Sequence, residues 1–348
     1  MKRIFSLLFA LNFIFVLCSC KNEDTEEKTV SNMLSASREV FAMDTYMTVT
    51  AYGENADKAV NEAEKEIHRL DSLLSVGNTE SEVYKINNTG EGKLSEDIER
   101  LIEKSEWIYD NTDGAYDITV YPLMDLWGFT GDEQAVPNDE DIKKVITDCG
   151  FNKLKYGNGS IKLSKNSGID FGGIAKGYTS DRIMNIFKKY KITSGIVSLG
   201  GNVQCFGNKT DGSMWKCGIT DPDDPENTEN LIGVISVSNK AVITSGGYER
   251  YFTDKKSGKT YHHIMDPKTG YPSESGLKSV TIVSVDGTLA DGLSTACFVM
   301  GKEKALDFWK KNSDKFDMVL IDDERNITVT EGIKNRFSSE YDFEIAEK

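Results

Sequence analysis

From Ile192 to Val285 the chain runs through a series of short strand-like segments, at 196–200, 214–219, 232–237, 242–244 and 280–285. Two long amphipathic stretches precede them. Residues 56–74 put Val60, Ala63, Ile67, Leu70 and Leu74 on one helical face, with His68 solvated beside it, and residues 97–109 carry Ile98, Leu101, Ile102 and Ile108 behind an acidic first turn. Residues 40–52 alternate like one further strand, and helical patterns return at 291–300 and 302–311. The mixture predicts an α+β fold, mixed sheets with packed helices. With 348 residues, 39% of them hydrophobic, the chain can bury a sizeable core in one large domain or two intimate lobes. No solenoid-length repeat is present.

The N-terminus stands apart from that fold. Lys2 and Arg3 precede an apolar run, 4–17, that is short for a membrane span and built like a signal peptide. The run ends in Leu17-Cys18-Ser19-Cys20, which looks like a bacterial lipobox. Ser19 is small, as cleavage before Cys20 requires, whereas Leu17 is bulky before Cys18, so Cys20 is expected to be the lipidated first residue. The expected organisation is a signal peptide at 1–19, a flexible acidic tether at 20–37 and an ordered domain at 38–348, held outside the cytoplasm by a lipid anchor. A short transmembrane anchor is the alternative. Removing Lys2 and Arg3 takes the basic count from 41 to 39 against 56 acids, a formal charge of −17, which argues against nucleic acid as a partner.

Cys149, Cys205, Cys217 and Cys297 remain after such processing, with no zinc or C-x-x-C spacing. Cys205 and Cys217 flank an expected hairpin turn at 207–212, where an extracytoplasmic disulfide is permitted. Cys297 reads as a small core side chain, and no catalytic thiol is assigned.

Three blocks carry candidate chemistry. The first, His262-His263-Ile264-Met265-Asp266-Pro267-Lys268-Thr269-Gly270, holds two of the three histidines in the chain. Imidazole is the ordinary proton-transfer group near neutral pH, and the Asp-Pro and Thr-Gly pairs read as a tight turn that would hold His263 at a strand end. The second, Asp170 to Tyr178, places Gly172, Gly173 and Gly177 before an expected helix at 179–190, where amides and the helix dipole can meet an anion. It is neither a Rossmann fingerprint nor a P-loop. The third spans Ala290 to Gly301, in which Asp291 and Thr295 lie one helical turn apart on one face and offer oxygen donors suited to Mg²⁺ or Ca²⁺. Taken singly, each has a plainer account: a hairpin cap, a strand-to-helix turn, and an N-terminal helix cap at Asp291.

Together these blocks resemble the ApbE family, the FAD:protein FMN transferases. The resemblance extends in order through Met43-Asp44-Thr45-Tyr46 on the first strand, Ser81-Glu82 with Asn87, Asp113-Gly114-Ala115-Tyr116-Asp117, and Trp127-Gly128-Phe129. It continues through Asp170 to Tyr178, Ser198 to Asn202, Thr244 to Arg250, His263 to Gly270, and Asp291 to Thr295. It implies an enzyme that takes FAD as substrate, with Mg²⁺ held by Asp291, Thr295 and the Ala175 carbonyl, and His263 as the catalytic residue. It also implies that Met43, Ala115, Tyr116, Asp117, Gly173, Lys176, Tyr178, Gly246 and His263 bind the dinucleotide. The implied partner is an extracytoplasmic acceptor protein with a flavinylation motif, modified on a Thr or Ser hydroxyl. One departure is Gly77, where many relatives are expected to carry an aromatic; an open pocket would favour a metal-dependent FAD pyrophosphatase. A flavin-binding lipoprotein without turnover is the alternative from another class, against which His263 and Asp291 argue.

Overall fold

The computed structural model describes residues 34–131, 133–227 and 229–348. The expected signal peptide and Cys20 lie outside them. The described chain opens with the hairpin β1 (Ser35–Ala42) and β2 (Thr45–Tyr52), followed by α1 (Ala56–Leu74), α2 (Glu82–Thr89), β3 (Glu91–Lys93) and α3 (Glu96–Asn111). Short helices α4 (Tyr121–Leu126) and α5 (Asp139–Val145) precede β4 (Leu154–Gly157) and β5 (Ser160–Leu163). After α6 (Ala175–Lys189) come β6 (Ser194–Leu199), β7 (Asn202–Phe206), β8 (Trp215–Thr220), β9 (Leu231–Val237) and β10 (Ala241–Gly246). Next are β11 (Tyr251–Thr253), β12 (Thr260–His262), β13 (Leu277–Ser284), α7 (Gly287–Met300) and α8 (Lys302–Asn312). The chain closes with β14 (Phe316–Asp322), β15 (Ile327–Thr330), β16 (Phe337–Ser338) and β17 (Phe343–Ala346). Among the described residues no helix is long and apolar enough to cross a membrane.

Nine strands form one sheet in the order β1-β2-β6-β7-β10-β13-β14-β15-β17, antiparallel throughout except for the β15–β17 pair. Alternation along each central strand feeds two cores. Ala241 and Ile243, Val280 and Ile282, and Met318 and Leu320 face α7 and α8, whereas Val242, Val283, Val319 and Ile321 face the small sheet β16-β9-β8. At the β1 end, Val40, Met47, Val49 and Val197 pack on α1 and α6. This is the α+β fold expected from the sequence.

Several local expectations need correction. Residues 40–52 are a hairpin rather than one strand: Met43 and Asp44 form its two-residue turn, at φ 49° and 57°. This is the primed turn that suits strand twist but is costly for residues with a Cβ. Strand β1 starts at Ser35, inside the expected tether, and the Ser37 hydroxyl bonds that of Thr50 on β2. Cys205 and Cys217 do not flank a hairpin, because β7 belongs to the large sheet and β8 to the small one; the two free, buried thiols meet across the layers with sulfurs 3.8 Å apart.

Candidate active site

The sheet topology gathers the conspicuous turns at one end. The β1–β2 turn, the Gly200-Gly201 turn between β6 and β7, and the C-terminal end of β10 at Gly246 adjoin one another there. Gly200 has φ 58°, and a Cβ on it would lie 2.5 Å from the Thr45 hydroxyl, so the two hairpins can nest only with glycine at this position. Across this end lies the start of α6, crossed by α7.

Helix α6 begins at Ala175, four residues earlier than expected, so Lys176 to Tyr178 belong to its first turn. That shift separates two expected partners. Lys176 and Tyr178, two residues apart on a helix, point to opposite sides. The Lys176 ammonium shares a cleft with Asp291, Glu249 and His263, and its charge opposes the upward push of burial on the two carboxylates while adding to the downward push on the histidine. Tyr178 faces α3, where its hydroxyl donates to Asp97 Oδ1 at 2.6 Å, and it lines a separate groove with Arg100, Lys104 and Arg182. Tyr178 is therefore not grouped with the other expected dinucleotide residues.

Helix α7 begins at Gly287, capped by Asp286, whose carboxylate accepts from the Leu289 amide at 2.7 Å. Asp291 is therefore an interior residue, not a cap. It is 4% exposed and points at α6: Oδ2 accepts from the Gly177 amide at 2.8 Å and Oδ1 from Asn202 Nδ2 at 2.9 Å. The helices approach so closely that a Cβ on Gly177 would lie 2.2 Å from the Gly287 carbonyl oxygen. Burial pushes the Asp291 pKa up, with Lys176 and the two donors opposing it. One turn on, the half-buried Thr295 hydroxyl lies 3.4 Å from the Ser245 hydroxyl and near Gly173, whose other neighbour is the Tyr116 ring. Ala175 sits between these contacts, and its carbonyl also takes the Thr179 hydroxyl at 2.8 Å.

Met43, at the β1–β2 turn, donates its amide to Asp71 Oδ1 at 3.0 Å and brings its sulfur within 3.9 Å of the Thr179 hydroxyl. The turn is thereby tied to α1 and α6. Ala115, Tyr116 and Asp117 follow α3 and are all buried. Asp117 is used internally, its Oδ1 accepting from the Thr119 amide at 2.8 Å and the Thr119 hydroxyl at 2.7 Å.

The two adjacent histidines differ in what their nitrogens do. His262 is fully engaged: Nε2 donates to the Ser273 carbonyl at 3.0 Å, Nδ1 accepts from the Ile264 amide at 3.2 Å, and the ring packs edge-on against Phe298. His263 follows the end of β12, and its Nδ1 lies 3.1 Å from the Arg250 carbonyl. Only a donor satisfies a carbonyl, so the proton is on Nδ1 and Nε2 keeps a free lone pair. Water reaches this ring, yet protein surrounds it on most sides. That enclosure, with Arg250 and Lys176 nearby, pushes its pKa down to about 3, so the imidazole is neutral. A pyrophosphate beside it would offset those cations and raise its basicity.

Residues outside the expected set complete the cleft. Asn202 orients Asp291, Ser245 bridges to Thr295, and the Arg250 carbonyl fixes the His263 tautomer while its guanidinium donates to the Phe129 carbonyl at 2.9 Å. Glu249, at the rim, is raised to about 6 by desolvation, which Asp291 reinforces and Lys176 opposes. The signal for all four was their place in the glycine turns at 200–202 and 244–250.

Among the described residues no three His, Cys, Asp or Glu side chains converge on one point. A cation here would rest on one carboxylate supplemented by hydroxyl and carbonyl oxygens. That all-oxygen set fits Mg²⁺ completed by phosphate oxygens, not zinc.

A cleft combining a helix start, a lysine, a buried carboxylate and a neutral imidazole is a site for an anionic, phosphate-bearing ligand. A model of the ApbE family matches residues 43–320, and the chain belongs to that family. It is 32% identical to the FAD:protein FMN transferase of Klebsiella pneumoniae, over 78% of this chain and 84% of that protein. It is 29% identical to the one from Treponema pallidum, over 86% and 88%. Among solved structures, the ApbE protein of Thermotoga maritima superposes with a TM-score of 0.80 at 32% identity, covering 87% of this chain and 99% of that one. The apo flavinyl transferase ApbE of Pseudomonas stutzeri gives 0.78 at 27%, covering 89% and 98%.

Proposed function

We propose that this protein is a Mg²⁺-dependent FAD:protein FMN transferase that works outside the cytoplasm, anchored to a membrane through lipidated Cys20. Its acceptor is a Thr or Ser hydroxyl on a partner protein with a flavinylation motif. The observation that carries the reading is the meeting of Asp291 and Thr295 on α7 with the start of α6, in a cleft that also holds a histidine with one free nitrogen.

In this reading the acceptor oxygen forms a bond to the FMN-side phosphorus as the pyrophosphate P–O bond breaks, and AMP departs. His263 Nε2 accepts the hydroxyl proton, and its Nδ1–H, held by the Arg250 carbonyl, keeps that lone pair available. Lys176 and the Gly173 amide bind the phosphates, whereas the Gly172 and Gly177 amides are already committed to Asp170 and Asp291. Met43, Ala115, Tyr116, Gly173 and Gly246 shape the remainder of the dinucleotide site. Mg²⁺ held by Asp291, Thr295 and the Ala175 carbonyl would supply neutralisation of the pyrophosphate charge.

Hydrolysis of FAD to FMN and AMP is the second reading, and Gly77 favours it. Gly77 is exposed in the loop after α1, and a Cβ built there meets nothing within 4 Å, so the position has room for a side chain. Incubating the full chain with FAD, Mg²⁺ and a carrier protein bearing a flavinylation segment decides between them. Transfer predicts flavin fluorescence on the denatured acceptor band with matching AMP release. AMP and FMN release without acceptor labelling would leave the pyrophosphatase.

A further inference from the structure

The hairpin whose turn holds Met43 also carries an unusual surface. Phe41 on β1 and Tyr46 on β2 are cross-strand partners, 60% and 81% exposed, with ring centroids 5.0 Å apart edge to face. Alternation explains why they point outward, since their neighbours Val40, Ala42 and Met47 fill the core beneath α1. It does not explain why two large aromatics occupy solvent positions on the edge hairpin of the main sheet. Elsewhere on this face β1 and β2 present Ser37, Glu39 and Thr48.

The backbone at Tyr46 leads to the end of the sheet that carries the cleft. The Tyr46 carbonyl accepts from the Gly200 amide at 3.2 Å, and two residues beyond Gly200 is Asn202, which holds Asp291. A macromolecular substrate that delivers a hydroxyl to the cleft must rest on this end of the sheet. We propose that Phe41 and Tyr46 form the docking anchor for the acceptor polypeptide, taking an apolar side chain that flanks the modified hydroxyl. This rests on the transfer reading above. The exposed acids Glu39 and Asp44 beside the pair select basic residues on either side of that apolar anchor. The same acids, on a chain of net charge −15, disfavour an anionic lipid surface or a second copy of this protein as the occupant. Exposed aromatic pairs are the usual energetic centres of such contacts.

The test compares the full chain with its Phe41→Ser/Tyr46→Ser variant, with Tyr46→Ser alone as the milder companion and melting temperatures as the check on folding. The probe is the carrier protein bearing a flavinylation segment, with its flanking apolar residues intact or replaced by serine. In the double variant the acceptor KM should rise about tenfold or more, while kcat, FAD binding and acceptor-free AMP release stay within about twofold. Serine replacement on the acceptor should add little to the loss already caused in the enzyme, as expected for partners in one contact. An unchanged acceptor KM overturns the assignment. So does a variant altered only in self-association by gel filtration, or only in co-sedimentation with phosphatidylglycerol vesicles. A wild-type protein that cleaves FAD but labels no acceptor defeats the transfer reading itself, an outcome distinct from equal labelling by wild type and variant.

Discussion

Asp117 offers a direct test of how this fold carries its buried charge. The carboxylate is 5% exposed and accepts two hydrogen bonds from Thr119, yet desolvation outweighs them and lifts its pKa from 3.8 to about 6. At about 1.4 kcal/mol per pKa unit, the charged form costs the folded state up to about 3 kcal/mol. The sign follows from the folded value being the higher one. The native state binds the proton more tightly, so this contribution to stability is fully present below pH 3.8 and is lost as pH rises through about 6. Both Thr119 donors converge on Oδ1 alone, so Asp117→Asn keeps the pair of bonds on its amide oxygen and stays neutral at every pH. The variant should be more stable than wild type at pH 8 by about 1–3 kcal/mol, or about 2–6 °C in Tm for a domain of this size, with the gap closing towards pH 4. Urea midpoints at pH 8, 7, 6 and 5 measure it. A destabilised variant at pH 8, or a gap that does not change between pH 8 and pH 5, would refute the reasoning.

The histidines should separate cleanly. His263→Ala is expected to keep FAD binding by fluorescence titration and lose transfer by about 10²–10⁴-fold, whereas His262→Ala should lose about 1–3 kcal/mol of stability but retain turnover per folded molecule. Reversed outcomes would exchange their roles. For Asp291→Asn, rotation of the Asn202 amide can preserve both contacts, so the fold should survive while Mg²⁺-dependent turnover falls by about 10²-fold or more. Full activity at unchanged Mg²⁺ would remove Asp291 from the metal set. Because Gly77 has open space around its missing Cβ, Gly77→Tyr should fold and suppress acceptor-free AMP release more than flavinylation. Equal suppression of both would show that position 77 does not govern water access.

Long regular patterns were the most legible part of the chain. Residues 56–74 form a helix with the expected boundaries because five apolar residues recur on one face with no glycine to interrupt them. The start of α6 is hidden in the sequence because Gly172, Gly173 and Gly177 look like loop. Gly177 is a helical residue, kept small by the Gly287 carbonyl and the side chain of Asp291, a reason that lies more than a hundred residues away. Asp286-Gly287 hides the start of α7 in the same way, which is why the sequence alone allows a cap as the plainer account of Asp291. The three-residue strands β3, β11 and β12 are too short and too exposed to show period-two alternation. At the site, the conspicuous residue types were legible, but their directions were not. Tyr178 turns to Asp97 of α3 and Asp117 to Thr119, because each has a hydrogen-bond partner that residue type alone does not reveal.

The long-range contacts also explain why the candidate metal residues occur where they do. Asp291 of α7 takes the Gly177 amide in the first turn of α6, and Asp181 of α6 takes the Gly287 and Thr288 amides at the start of α7, at 2.9 and 2.8 Å. Each helix thus satisfies donors that the other leaves free at its N-terminal end. Two buried carboxylates without full cationic neutralisation are expensive, and desolvation raises the pKa of both. The arrangement is nevertheless sound, because every amide that one carboxylate takes is an amide that would otherwise be buried unpaired. It also makes Asp291 bifunctional: the carboxylate proposed to face the cation is the one that sets where the first turn of α6, with Lys176 and the Ala175 carbonyl, stands. Removing its charge and removing its side chain are therefore different experiments. The amide keeps the helix in place and reports on chemistry, whereas alanine loses the clamp as well and mixes chemistry with the position of the phosphate-binding turn.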